Sequence, residues 1–125
     1  MREDHSCCRH NKTTPKDMTL LLQWLSSHHS DTPILQFIWE TMMKCKTGME
    51  RLPAAKHEGA MLLHKTGSGY THNDGTADIG DAGIYLLSDG SKLPICVFVK
   101  GASSDHIIAE ISQHLQYMAL THDTK

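Results

Sequence analysis

An α+β fold built on an antiparallel sheet is what this sequence predicts, and three observations predict it. Two proline-led segments with apolar residues at helical spacing come first, within residues 13–57. Three strand-length apolar runs divided by turn residues follow, within 59–100. One more helical segment, 103–120, comes last. Helices and strands are therefore segregated along the chain, whereas a parallel sheet would need them to alternate. At 125 residues the length suits one domain, and a compact chain of this size buries roughly two-thirds of its unfolded surface.

Residues 1–12 have no periodicity and read as an irregular lead-in. Thr14 is then an N-cap and Pro15 a first helical residue, because proline lacks only an N–H that the first turn leaves unbonded anyway. Met18, Leu21, Leu22 and Leu25 form the apolar face of that helix, and the polar run Ser26 to Ser30 ends it. Asp31-Thr32-Pro33 repeats the start, with Ile34, Phe37, Ile38, Thr41 and Met42 along one face. This second helix is expected to reach Lys44 or Cys45, with Gly48 beyond it as a stop. Pro53 keeps the segment Met49 to His57 from becoming a long helix.

From Gly59 the pattern changes. Ala60 to Lys65 is a strand-length run that ends in Thr66-Gly67-Ser68-Gly69, and residues 71–76 make a connecting turn. Ala82 to Leu87 and Leu93 to Val99 form a hairpin around Ser88-Asp89-Gly90-Ser91. Pro94 removes only one ladder bond near the start of its strand. Ser104 is the expected cap of the last helix, whose apolar face is Ile107, Ile108, Ile111, Leu115 and Met118.

Composition narrows the function classes. The formal net charge is −2 with 21% charged residues, and no basic stripe interleaves with aromatics, which argues against a nucleic-acid partner. No apolar run approaches the ~18 residues a membrane span needs. Met1 to His10 carries no apolar core of a secretory signal, so the chain made as it stands is expected to be cytoplasmic. Four cysteines and ten histidines raise the question of a metal, but Cys7 and Cys8 are adjacent and Cys45 and Cys96 are isolated. Zinc sites need ligand pairs at turn spacing, so neither a metal nor any other cofactor is expected.

His64-Lys65-Thr66-Gly67-Ser68-Gly69 carries the most chemistry. Lys65 at a strand end sets a cation beside a groove, and Thr66 and Ser68 share one strand face. Gly67 lets a ligand approach the backbone, and the N–H that follows it can serve as an oxyanion donor. An anionic acyl compound lying along the strand edge would suit these groups. The plainer alternative is a strand running into a flexible Gly-Ser turn with a solvated lysine.

These residues do not stand alone. Thr13-Thr14-Pro15-Lys16-Asp17-Met18, Trp39-Glu40-Thr41-Met42, Thr47-Gly48, Arg51-Leu52-Pro53, the Lys65-Thr66-Gly67 strand, Asp81-Ala82-Gly83-Ile84 and Val97-Phe98-Val99-Lys100 occur in that order. Together they resemble the C-terminal part of class A serine β-lactamases, most of all the branch common in Bacteroidetes. The resemblance implies a partial β-lactamase/transpeptidase-like fold, two helices and then a three-stranded portion of a five-stranded antiparallel sheet packed by the last helix. It implies a β-lactam ligand, and a full-length parent that is monomeric and periplasmic or secreted.

Residue by residue, it implies that Lys65 contacts the substrate carboxylate and that Thr66 and Ser68 hydrogen-bond it. The Ser68 N–H would supply one oxyanion-hole donor, Gly67 would allow close approach, and Arg51 would help anchor the carboxylate near Lys65. His64 and Asp81 are read as supports of the sheet.

What is absent counts equally. The family's Ser-x-x-Lys nucleophile and Ser-Asp-Asn motif do not occur in these 125 residues. Glu3 stands closer to the first helix than the family's deacylating base should, and acid/base work demands exact placement. None of the nucleophile and base set is therefore expected here, and the chain alone should be inactive. The resemblance also implies uncovered apolar faces on the first two helices, including Trp24, Phe37 and Trp39. A penicillin-binding protein fragment and a non-catalytic remnant or interaction module remain as alternatives. A metal-dependent lactamase does not, because no H-x-H-x-D spacing occurs.

Overall fold

The computed structural model describes residues 12–122. Glu3, Cys7, Cys8 and all of the expected lead-in except Lys12 lie outside the described residues.

Helix α1 spans Pro15–His28 and α2 spans Pro33–Met43, each led by its proline. The caps are those the sequence predicts. Thr14 Oγ1 accepts the Asp17 N–H at 3.1 Å, and Thr32 Oγ1 accepts the Leu35 N–H at 3.1 Å. Each such bond satisfies a donor the first turn would leave open, worth about 1 kcal/mol. A 3-10 turn, Leu52–Ala55, follows at Pro53. Strands β1 (Met61–Thr71), β2 (Ala77–Leu86) and β3 (Lys92–Ala102) form one antiparallel sheet in that order. Helix α3 spans His106–His122, and Ser104 Oγ accepts the His106 N–H at 3.1 Å.

Both hairpin turns use one device. Asp74 Oδ1 accepts the Thr76 N–H and Asp89 Oδ1 the Ser91 N–H, at 2.9 and 2.8 Å. The intervening Gly75 and Gly90 sit at φ +87° and +89°, where a side chain would be strained.

The sheet is packed on both faces. Leu22, Leu25 and Trp39 of α1 and α2 cover Leu63, Ala82 and Ile84 on one side. On the other, Ile108 of α3 and Leu52 of the 3-10 turn meet Tyr85, Ile95 and Val97. Tyr85 fixes that second layer, its hydroxyl donating to Leu52 O at 2.6 Å and lying 2.9 Å from Ser112 Oγ. Central strand β2 is buried along most of its length, as a strand covered on both faces must be.

Two expectations are corrected. Strand β1 runs on to Thr71, so Lys65 sits mid-strand and not at a strand end. The polar Thr66-Gly67-Ser68-Gly69 looks like a turn, but its backbone pairs with β2 as far as Ser68↔Ile79.

The helices are also rotated from their apolar stripes. In α2 the buried residue is Trp39, while Ile34 and Phe37 are 72% and 67% exposed. Trp39 was expected to be uncovered, yet it stacks on the His29 ring at 3.9 Å. In α3 the buried face is Ile108, Ala109, Ser112 and Gln116, whereas Ile107, Leu115 and Met118 are exposed. Gln116 Nε2 reaches Ala55 O at 3.0 Å, so polar side chains face inward here because they have backbone partners.

Candidate functional site

Alternation along β1 separates the residues of the Lys-Thr-Gly segment. Lys65 follows Leu63 onto the side of α1 and α2, exposed, its Nζ donating to Thr66 O. His64 and Ser68 turn instead toward Asp81 and Arg51. Thr66 Oγ1 shares a 3.0 Å hydrogen bond with Thr47 Oγ1, which lies 3.3 Å from Cys45 Sγ. Gly48, at φ +61°, makes this approach possible, since a Cβ there would collide with the Thr66 methyl.

Arg51 is buried, 6% exposed, and its guanidinium is a clamp. Nη1 donates to Gly67 O at 3.0 Å and to Gly80 O at 2.9 Å, joining β1 to β2. Nη2 donates to Ser68 Oγ at 2.9 Å and to Asp105 Oδ1 at 3.3 Å. Nε lies 3.2 Å from Asp105 Oδ2 but without hydrogen-bond geometry. The planar fork suits such divergent acceptors, which a lysine could not reach together.

Beneath the segment, His64 Nδ1 lies 2.9 Å from Asp81 Oδ1, both side chains fully buried. Asp81 Oδ2 also accepts the Leu52 N–H at 3.2 Å. One carboxylate thereby ties β1 to the residue after Arg51. Across the sheet, burial and the charge of Asp81 push the Cys96 thiol up to about 11. Cys45 and Cys96 are half-buried free thiols, and Cys96 is a poor nucleophile.

A cavity of about 410 Å³ opens between α1, α2 and the sheet. Its walls are apolar, including Leu21, Trp24, Ile38 and Phe98, and Lys65, Thr66 and Gly67 stand at its border. Lys65 and Asp81 are its charged lining residues. A Cβ built on Gly67 would meet nothing within 4 Å, so the backbone is open there.

Lys65, Thr66, Gly67 and Ser68 are thus contiguous along one paired strand, and Arg51 joins them through Ser68 Oγ and Gly67 O. Sequence reasoning missed Asp105 and Thr47. Both are brought in by tertiary folding, Asp105 from just before α3 and Thr47 from the Thr47-Gly48 motif, which the sequence marks without giving it a part in the site. Among the described residues no cluster of three or more His, Cys, Asp or Glu could hold a metal, and no helix is long and apolar enough to cross a membrane.

Residues 1–118 match the family model described as the β-lactamase enzyme family. A β-lactamase of Phocaeicola vulgatus is 32% identical over 123 residues, 95% of this chain and 37% of that protein. One of Bacteroides uniformis is 35% identical over 112 residues, 82% and 38% of the respective chains. Among solved structures, the TLA-1 extended-spectrum β-lactamase superposes with a TM-score of 0.77 at 29% identity, covering 92% of this chain and 44% of that one. The chain therefore spans less than half the length of these relatives. Ordered motifs, fold and similarity agree, and the chain belongs to the β-lactamase enzyme family as part of a class A fold.

Proposed function

We propose that these residues are the carboxylate-binding side of a serine β-lactamase site, serving hydrolysis of the β-lactam amide of penicillins and cephalosporins through an acyl-enzyme. One observation carries the reading: Lys65, Thr66 and Gly67 border a largely apolar cavity that Asp81 also lines, with an exposed cation and an open backbone side by side. Lys65 and Thr66 would take the substrate carboxylate. Ser68, its hydroxyl oriented by Arg51, would offer a further hydrogen bond and its N–H an oxyanion donor. Arg51 would act on the carboxylate mainly through Ser68, since its own donors are already engaged.

By itself the chain has no Ser-x-x-Lys and is proposed to be inactive. A complete protein of this kind would act on β-lactam antibiotics in the periplasm or outside the cell and confer resistance. The same absence keeps a second reading, a non-catalytic interaction module. The test is hydrolysis of a chromogenic cephalosporin by the purified chain, with a labelled penicillin to detect acylation. Neither turnover nor label is expected. Turnover above that of Lys65→Ala would overturn the inactivity. Failure of penicillin to perturb the Lys65–Ser68 amide signals in NMR would favour the second reading.

A further inference from the structure

A second cavity, of about 370 Å³, lies between the end of α2, the 3-10 turn and the first residues of β1. Lys44, Lys46 and Lys56 line it, and no acidic side chain does. The whole chain carries a formal charge of −2, so three cations gathered on one concavity run against its composition. None of the three pairs with a carboxylate among the described residues. Lys56 Nζ donates to Ala60 O at 2.6 Å, which fixes one ammonium against the cavity wall. A concave surface of one sign focuses potential and draws counter-ions.

Exposed lysines are usually solvated and nothing more. His64 sets this cavity apart. Its side chain is 2% exposed and borders the cavity from the strand side. Nδ1 lies 2.9 Å from Asp81 Oδ1, and a carboxylate can only accept, so Nδ1 is assigned the proton. Nε2 of the neutral ring is then an acceptor. It has no hydrogen-bond partner among the described residues, and it is not sealed from solvent.

A ligand that suits both features must bring negative charge to the lysines and a proton to Nε2. A carboxylate brings charge but no proton at neutral pH. A phosphate monoester brings both, because its second proton titrates at about 6. As the monoanion its O–H can donate to Nε2, and as the dianion it can accept from the doubly protonated ring. Met43, Met49 and Leu62 add apolar wall beside the cations.

We propose that this cavity binds a phosphate monoester with an apolar body, its phosphate lying among the three lysines and sharing a proton with His64 Nε2. The cavity shares no lining residue with the one at Lys65, and the proposal does not rest on the reading of that site.

The test titrates phenyl phosphate into the isotope-labelled 125-residue chain at neutral pH and follows amide and imidazole signals by NMR. Saturable shifts are expected at Lys44–Lys46 and Met61–His64, with the His64 Nε2 signal moving toward its hydrogen-bonded position. Phenyl phosphate should bind roughly tenfold more tightly than inorganic phosphate, since its ring adds apolar contact. Benzoate, the same ring on a carboxylate, should bind more weakly by about the same factor. The lysines are exposed, so Lys44→Gln, Lys46→Gln and Lys56→Gln should keep the fold and each weaken binding roughly two- to fivefold. Lys65→Ala should leave the affinity unchanged.

Equal affinity for benzoate would overturn the assignment of phosphate. Shifts spread equally over Lys16, Lys92 and Lys100, or a His64 signal that stays still, would mean general counter-ion attraction and no site. Loss of binding in Lys65→Ala would put the phosphate in the other cavity and overturn the proposal as well.

Discussion

Arg51 Nη2 donates to Ser68 Oγ at 2.9 Å while its Nη1 holds the carbonyls of Gly67 and Gly80. One buried side chain therefore sets both the Ser68 hydroxyl and the Gly67 peptide of β1. Arg51→Ala would leave two carbonyls and Asp105 without this donor, a loss of about 3 kcal/mol by the cost of stranded buried groups. Arg51→Lys keeps the charge but not the fork, and should recover less than half of that. Urea unfolding of the three proteins measures it, and wild-type stability in Arg51→Ala would show the clamp to be dispensable.

The Asp81 carboxylate joins His64 and the Leu52 N–H, so it braces the corner from which Arg51 projects. Asp81→Ala strands two buried donors and is expected to cost roughly 2–4 kcal/mol. Asp81→Asn keeps an acceptor and should cost less. Amide exchange adds a readout of place: protection should fall first at Leu52 and along β1, and loss spread evenly over the sheet would contradict the bracing role.

Much of this was legible beforehand, and the misses share a physical cause. Caps, proline starts and turns are local, so Thr14, Thr32, Asp74 and Asp89 can be read from neighbours within three residues. The residue pattern put Lys65 at a strand end beside a groove, and the strand instead runs on past it to Thr71. Burial is not local. Periodicity in α2 selects Ile34, Phe37 and Ile38, yet the sheet takes Trp39 because the described residues offer cover on that side alone. The partners of Arg51 could not be read for a similar reason, since they lie 16 to 54 residues away.

Glycines separate structural need from open space. A Cβ on Gly83 would lie 2.5 Å from Leu63 O, and one on Gly67 would meet nothing. Gly83→Ala must push β1 from β2 and should destabilise by roughly 1–3 kcal/mol, the usual range for overpacking. Gly67→Ala should leave stability within about 0.5 kcal/mol and act only on ligands that approach the strand. Thermal unfolding of the pair decides this, and equal destabilisation of both would mean that the space at Gly67 is filled in solution.

Tyr85 gives the fold an alkaline limit. Burial pushes its hydroxyl up to about 12 from the ordinary 10.0, the bond from Ser112 opposing the shift and the charge of Asp81 adding to it. The folded state thus binds this proton more tightly than the unfolded chain. The resulting stability is complete below pH 10.0 and is lost as pH rises from there toward 12. Two units correspond to at most about 3 kcal/mol from this side chain. Tyr85→Phe loses the bond to Leu52 O and should be less stable at neutral pH, but its stability should fall less steeply above pH 10.0. Urea midpoints from pH 8 to 11.5 test the sign, and parallel curves for the two proteins would place the alkaline loss elsewhere.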